Sequence, residues 1–173
     1  MTWRSTAVFA LGVLLLGFYA WWSSPPDPAL RRAAARQPLL DGNVEVNRVV
    51  LVATSRTLRL ARDAHGWHAS DAGERLQVDV ESLLAALRGV EPLMVVGHAP
   101  RDLRRFGLDP PATRLEIWAD TTRALGLDVG HRNPAWTGLY TRRNDRSEIE
   151  LVGAVLYWEI EKLLAATARL GNA

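Results

Sequence analysis

The histidines are the first residues of this sequence whose chemistry could serve a metal or an acid–base site. There are four, and His65 and His68 flank a predicted turn, from which they could join His98 or His131 around a metal ion. Their spacing matches no common zinc-binding motif, and two residues of a hairpin need not point the same way. We therefore expect no metal site and no cofactor.

The carboxylates give little sign of catalysis. Glu148 and Glu150 alternate on a predicted strand and so share a face, where a pair could act as acid and base, but a solvated outer face explains the pattern better. Asp109 stands before a proline, which is a common turn device, and a role as an acid or a ligand is the lesser alternative.

Sequence motifs of enzymes are missing. The chain has no Gly-x-Ser-x-Gly elbow, no Gly-rich phosphate loop and no His-Glu-x-x-His motif. It also has no cysteine, which excludes thiolate catalysis, disulfides and cysteine-ligated metals. The sequence therefore predicts a protein that is not an enzyme.

An uncharged, mostly apolar run at residues 5–22 predicts a membrane anchor. Its length is at the short end of the roughly 17 to 25 residues that a helix needs to cross a bilayer. The aromatic residues at its end are typical of a membrane interface. The residues expected to contact lipid include Phe9, Leu14, Leu15, Tyr19, Trp21 and Trp22.

A cleaved signal peptide is the main alternative, because Arg4 precedes the apolar run. The bulky residues at 18–22 leave no small-x-small cleavage pattern, which favours a retained signal anchor. Arginines stand on both sides of the run, at Arg4 and at Arg31, Arg32 and Arg36, and they compete in setting its orientation. We expect a single-pass protein of the bacterial inner membrane, with a cytoplasmic N-terminus and a periplasmic C-terminal domain.

Three parts are predicted along the chain: the anchor at residues 1–24, a Pro- and Arg-containing linker at 25–43, and one domain at 44–173. The prolines at 25, 26 and 28 end a helix, and 29–37 is either a solvated linker or a short helix near the headgroups. Basic and acidic residues are interspersed and the net charge is only +2, so no nucleic-acid partner is expected.

Two hydrophobic periods in the domain predict an α+β fold, a mostly antiparallel sheet with two helices packed on one face. Alternating apolar residues predict a hairpin turning at 54–56, a short strand after Gly66 and Trp67, and strands at 115–118, 125–129, 138–142 and 149–152. Helical spacing predicts one helix capped by Asp79 with Val80, Leu83, Leu84, Leu87 and Val90 inward. It predicts a second with Leu156, Ile160, Leu163, Leu164 and Leu170 inward and Glu159, Glu161 and Lys162 in solvent.

The segment at residues 101–111 carries the most individual motif, Phe106-Gly107-Leu108-Asp109-Pro110-Pro111. Together with the Gly-Trp pair at 66–67, the Val129-Gly130 strand end and Gly138-Leu139-Tyr140, it resembles the DUF4340 family over roughly 44–164. The resemblance implies this fold and a membrane-associated setting. Larger members resemble tandem arrays of the module and are associated with ABC-type transport or gliding-motility components, whereas this chain has room for one copy. No catalytic residue is carried over.

The motif also has a direct physical interpretation as a structural signature. Gly107 can take a positive φ at a helix end, Leu108 can enter the core, and Asp109 can brace the turn. Pro110 and Pro111 favour an extended chain into the next strand. The predicted structural residues are Trp67, Phe106, Gly107, Leu108, Asp109 and Pro110.

A loop at residues 131–136 is the best candidate for contact with a partner. Trp136 stands there in a Pro-Ala-Trp-Thr-Gly stretch, and Tyr140, Arg142 and Arg143 follow it, with Arg146 close behind. Aromatic and arginine side chains are the usual anchors of binding surfaces, although Trp136 could instead fold back over the sheet edge.

These features together favour a noncatalytic, membrane-anchored accessory or scaffold subunit, whose soluble domain contacts other subunits of a larger membrane complex, such as one related to transport. One alternative is a binding module for an envelope lipid or glycan, which predicts an apolar cleft between helix and sheet. The other is a hydrolase, which requires polar groups that converge in a pocket.

Overall fold

The computed structural model of the chain describes residues 12–16, 19, 37–54, 56–69 and 80–168, with side chains described to residue 166 in the last helix. Two compact units are present, Met1–Ala34 and Ala35–Ala173.

Only a few residues of the first unit are described. Residues 12–16 and 19 are helical, and Leu14, Leu15 and Tyr19 are exposed. None of the described helices is both long and apolar enough to cross a membrane. Most of the predicted anchor, including Phe9, Trp21 and Trp22, lies outside the described residues, so its spanning stays a prediction.

The second unit is built on a single sheet of eight described strands in which every neighbouring pair is antiparallel. The strands are β1 (Arg48–Ala53), β2 (Arg56–Asp63), β3 (Gly66–Ala69), β4 (Met94–His98), β5 (Thr113–Ala119), β6 (Thr122–Arg132), β7 (Gly138–Arg143) and β8 (Glu148–Gly153). Their spatial order is β3-β2-β1-β5-β6-β7-β8-β4. Helix α1 (Val80–Gly89) follows β3, a short 3-10 helix (Arg104–Phe106) follows β4, and helix α2 (Val155–Ala168) follows β8.

One face of the sheet is covered by both helices and forms the main core. Alternating strand residues point into it, and the register sets Val49 opposite Ile117 and Leu51 opposite Leu115. The helices contribute fully buried leucines to the same cluster: Leu83, Leu84 and Leu87 from α1, and Leu156 and Leu163 from α2. Each such side chain contributes about 1.5–3 kcal/mol by leaving water. The predicted α+β architecture and these inward-facing residues are confirmed.

The opposite face of the sheet carries a smaller apolar cluster. Phe106, Leu108 and Ile149 are buried in it, and Val96, Leu103 and Tyr140 pack against them. Successive residues of a strand point to opposite faces, which is why Leu139 belongs to the main core and Tyr140 to this second cluster. The segment after β4 therefore covers the face of the sheet that the helices leave open.

One strand, β4, was absent from the sequence prediction. Its apolar run is short and directly precedes the turn-rich 101–111 segment, and β4 pairs with β8, which lies about fifty residues further along the chain. No local pattern signals such a distant pairing.

The core also begins earlier than the predicted domain boundary at residue 44. Leu39 and Leu40, in the segment predicted as linker, are buried in the main core. Their backbone N–H groups donate to the carbonyls of Val90 and Leu87 at the end of α1, at 3.2 and 3.0 Å. These bonds satisfy carbonyls that the last turn of a helix otherwise leaves without a partner.

Two glutamates expected in solvent are instead buried. Glu150 is 2% exposed, and Glu159 is also buried. Each carboxylate has a basic neighbour, Arg143 for Glu150 and Lys162 for Glu159, at 3.4 and 2.8 Å. Alternation and helical spacing alone could not indicate these ion pairs.

Candidate partner-binding surface

The turn between β6 and β7 holds Trp136 in an unusual and well-supported conformation. Trp136 has a φ of 62°, which is costly for a residue with a side chain. The Asn133 side chain fixes the turn: its Oδ1 accepts the N–H groups of Thr137 and Gly138 at 2.9 and 3.0 Å, and its Nδ2 donates to the Thr137 hydroxyl at 3.0 Å. The Trp136 N–H donates to the Asn133 carbonyl at 2.9 Å. The tryptophan is thus displayed on a rigid turn.

Arg132 joins this turn to the start of α2. Its guanidinium carbon lies 4.0 Å from the ring centroids of both Trp136 and Tyr157, and 5.5 Å from that of Trp158. The rings of Tyr157 and Trp158 meet edge to face at 5.1 Å. Each cation–π contact contributes about 0.5–2 kcal/mol. The arginine therefore fixes three aromatic rings from two elements in one patch.

This patch remains largely open to solvent. Trp136 is 67% exposed and Trp158 57%, and the neighbouring Val155 is also exposed. We call the five residues Arg132, Trp136, Val155, Tyr157 and Trp158 the aromatic–arginine surface. The Nε atom of Arg132 is buried and has no hydrogen-bond partner within the described part of the chain.

The arrangement has the residue types and the prior order of a binding surface. Tryptophan, tyrosine and arginine are the residues most enriched among binding hot spots. Rings already held by cation–π contacts lose little conformational freedom when a partner binds. The surface therefore combines large apolar anchors, a positive charge and prior order.

The other predicted contact residues do not gather around Trp136. Tyr140 packs on Phe106 across the second cluster, with ring centroids 4.6 Å apart. Arg142 donates from Nη2 to the Asp128 carboxylate at 2.7 Å, and Asp128 also accepts from Nε of Arg114 at 2.9 Å. Both are engaged in packing within the sheet rather than displayed on the turn.

The prediction that Arg143 contacts a partner is wrong, because its side chain is buried. It faces the helix-covered side, where its Nε lies 3.4 Å from the Glu150 carboxylate and its Nη2 donates to the Gln37 carbonyl at 3.1 Å. Burial raises the pKa of the Glu150 carboxyl above its ordinary value, although the charge and hydrogen bond of Arg143 act in the opposite direction. Arg143 is thus part of a buried ion pair.

Sequence reasoning included Arg132 only as part of the loop 131–136, and it missed Val155, Tyr157 and Trp158. A signal was nevertheless present, because the inward stripe of α2 takes Leu156, Ile160 and Leu163 and leaves Trp158 off it. A large aromatic residue away from the buried stripe of an amphipathic helix is a candidate for contact.

The 101–111 motif has the structural role that the sequence predicts. Gly107 has a φ of 71° at the end of the 3-10 helix, and Leu108 is buried, in the second cluster rather than the main core. The exposed Asp109 carboxylate lies 3.4 Å from Nε of Arg104 and braces the turn. Trp67 donates from its ring nitrogen to Glu81 at 3.0 Å and packs on the main core.

Of the predicted histidines, the structure brings His65 and His68 together beside Asp63 but does not bring His131 to them. Nδ1 atoms of His65 and His68 lie 3.9 and 3.6 Å from the Asp63 carboxylate, whereas the His131 ring lies against Gly107. No group of three or more His, Cys, Asp or Glu side chains in the described ranges could hold a metal ion.

Fold and surface together define an α+β module with an exposed aromatic and arginine patch. The family model described as Domain of unknown function (DUF4340) matches residues 67–162, which is more than half of the chain. The chain therefore belongs to the DUF4340 family. The matched range begins at Trp67 and so is shorter than the predicted 44–164. No curated protein and no solved structure matches the chain.

Proposed function

We propose that this protein is a noncatalytic, membrane-anchored accessory subunit, and that the aromatic–arginine surface is its contact with another subunit of a larger membrane complex. The observation that carries the proposal is the exposed Trp136 on its rigid turn, braced by Arg132. Strained backbone held in place by surrounding contacts is a common feature of functional sites.

The packing of the domain favours this proposal over a lipid- or glycan-binding module. A ligand cleft between helix and sheet needs apolar side chains that remain partly open to the cleft. Leu83, Leu87 and Leu156 on the helix side, and Leu115 and Leu127 on the sheet side, are all fully buried. A hydrolase is disfavoured because the carboxylates and histidines of the described residues are dispersed or paired.

The membrane anchor is part of the proposal, and it predicts that charged residues introduced into the 5–22 run will release the protein from the membrane. Leu14 and Leu15 lie near the middle of the 5–22 run. An arginine at the centre of a spanning helix costs about 2.5–3.5 kcal/mol on insertion scales. We expect the double variant Leu14→Arg/Leu15→Arg to leave the membrane fraction after alkaline washing, as measured by immunoblotting both fractions from cells. Leu14→Ala/Leu15→Ala is the control and should stay. An arginine variant that remains in the washed membranes contradicts anchoring through this run.

If the aromatic–arginine surface binds a partner, removing its tryptophan rings should weaken that binding. We expect the full chain to crosslink to a discrete partner in its native membrane when a photoreactive benzoylphenylalanine replaces Trp136 or Trp158. Truncating hot-spot residues costs about 2 kcal/mol or more, so Trp136→Ala/Trp158→Ala should lower copurification of that partner about thirtyfold. The fold should persist because both side chains are mostly exposed.

A matched control distinguishes loss of contact from loss of fold. Val52 is an exposed apolar residue on β1, away from the surface, so the photoreactive residue at Val52 should give no such adduct and Val52→Ala should leave copurification unchanged. Equal adducts at 52 and 136, or undiminished copurification by the double variant, would contradict the assignment of the surface.

A further inference from the structure

The two edges of the sheet differ in what they expose. On β4, at one edge, Met94 is 54% and Val95 38% exposed, and Leu93 just before the strand is 63% exposed. At the other edge, β3 is four residues long and contributes no exposed large apolar side chain. Apolar exposure is therefore concentrated at the β4 edge.

The exposed apolar side chains of β4 lie on both faces of the sheet. Met94 is opposite Leu151 and Val95 opposite Glu150 on β8, so the two residues point to different sides of the sheet. Among the described elements, neither the helices on one side nor the 101–111 segment on the other covers these side chains. The outer edge of β4 pairs with no described strand.

An edge of this kind normally carries protection against pairing. Proteins place lysines, other charges or prolines on sheet edges to stop strands of another chain from adding to them. No charged residue occurs in Val-rich β4 before His98, its last residue, and the one local proline, Pro92, is buried ahead of the strand. A bulge between Val95 and Gly97 interrupts the strand, so the regular, unprotected part of this edge is its start, at residues 93–95.

We propose that the segment 93–95, at the start of β4, pairs antiparallel with the same segment of a second copy of the chain, with the two-fold axis at Met94. A perpendicular two-fold axis keeps each face of the sheet continuous across the two copies and closes the assembly at two. In this register Met94 lies opposite Met94 of the second copy and Leu93 lies opposite Val95, so the three exposed apolar side chains bury one another.

Charge at the strand ends agrees with self-pairing. Glu91 is exposed ahead of β4, and Arg101 is exposed beyond its end. The antiparallel arrangement directs the end that carries Glu91 in each copy toward the end that carries Arg101 in the other. A parallel arrangement would instead set like charges side by side. This pairing surface is separate from the aromatic–arginine surface and does not depend on it.

Cysteine crosslinking tests the register, because the chain has no cysteine of its own. Directly opposed residues of antiparallel strands have Cβ atoms about 4.5–5.5 Å apart, close to the spacing that a disulfide spans. We expect the full-length Met94→Cys variant in its native membrane to form a disulfide-linked dimer on mild oxidation. The control is Val52→Cys, which is also exposed, at 39% against 54% for Met94, but lies on an interior strand, and it should stay monomeric. Equal crosslinking of the two variants overturns the proposal.

Oligomeric state supplies the second measurement. The full chain purified in detergent should have the protein mass of two copies by light scattering, and Met94→Lys should weaken the dimer at least about tenfold, because two lysines then face each other on the axis. Val52→Lys should remain a dimer. A wild-type monomer at micromolar concentration, or a Met94→Lys variant that dimerises like wild type, overturns the proposal. Retention of the Trp136 crosslink in the Met94→Lys variant separates this result from that of the proposed function.

Discussion

Replacing Gly130 with alanine is expected to lower the free energy of unfolding by about 3 kcal/mol or more. Gly130 lies in β6 directly beneath the Phe106–Gly107 turn, and a Cβ there would collide with the Phe106 carbonyl oxygen and lie 3.1 Å from the Gly107 carbonyl carbon. Both atoms belong to the backbone, so they cannot rotate away as the end of a side chain could. Relief requires lifting the turn, which would expose Phe106 and Leu108 of the second cluster.

Gly153→Ala is the matched control for this substitution. Gly153 ends β8 in the same sheet, and a Cβ there meets no atom within 4 Å. Thermal or denaturant unfolding of the full chain in detergent, followed by circular dichroism, should show a large loss of stability for Gly130→Ala and little change for Gly153→Ala. If both variants unfold at the wild-type midpoint, the 101–111 turn is not seated on β6 as described.

This contact explains why the family motif includes both the turn at 106–111 and the glycine at the end of the Val129-Gly130 pair. The motif forms the turn at 106–111. Gly130, which follows Val129, has no side chain, so the backbone of that turn can pack directly against β6. The sequence predicts each landmark separately but not that they touch, because they are separated by more than twenty residues and meet through backbone atoms. Their close approach is a property of the folded sheet.

Local periodicity predicted most of the elements of the domain. Leu115 and Ile117, and Leu125 and Leu127, alternate strictly because one face of each strand is buried, while the leucines of α1 recur at helical spacing. The strand order could not be predicted, because β1 pairs with β5 across a long connection and β4 pairs with β8. Periodicity encodes which side of an element is buried, whereas pairing between distant strands depends on the whole core.

The sequence predicted only the local part of the candidate surface, because the rest depends on contacts between distant elements. A Pro-Ala-Trp-Thr-Gly loop indicates a turn that displays a tryptophan, and the structure places Trp136 on such a turn. The assembly of Arg132 with Tyr157 and Trp158 depends on the start of α2 returning to the end of β6. Arg142 and Arg143 follow in sequence, yet they point to opposite faces of β7 and take part in separate ion pairs.

The buried pair of Arg143 and Glu150 carries the other large expected effect. Removing one member of a buried ion pair costs about 3–5 kcal/mol, because the remaining charge stays in the interior without its partner. We expect Glu150→Leu to lose about this amount near pH 7, since the Arg143 guanidinium cannot lose its proton there to relieve the loss. Its Nη2 bond to the Gln37 carbonyl would then be its only hydrogen bond to a described residue.

Arg143→Met should behave differently because a carboxyl group can become neutral. Burial already raises the pKa of Glu150, and the charge of Arg143 opposes that rise, so loss of Arg143 raises the pKa further. A carboxyl whose pKa is higher in the folded state favours folding when protonated, and that contribution is lost as the pH rises from the unfolded pKa, about 4.3, through the raised folded value. The cost of Arg143→Met is therefore small near pH 4 and grows toward pH 7.

A double-mutant cycle over pH isolates the pair. Arg143→Met/Glu150→Leu replaces both charges with apolar groups of similar size, a change that is often neutral or stabilising, so the double variant should lie within about 1 kcal/mol of wild type. Unfolding of the four full-length proteins at pH 4, 5.5 and 7 would measure the coupling. A double variant as unstable as the sum of the single variants would show that the two side chains contribute by packing alone. A pH-independent loss for Arg143→Met would show that Glu150 does not titrate in response to its neighbour, and that the sheet holds Arg143 for its bond to Gln37 instead.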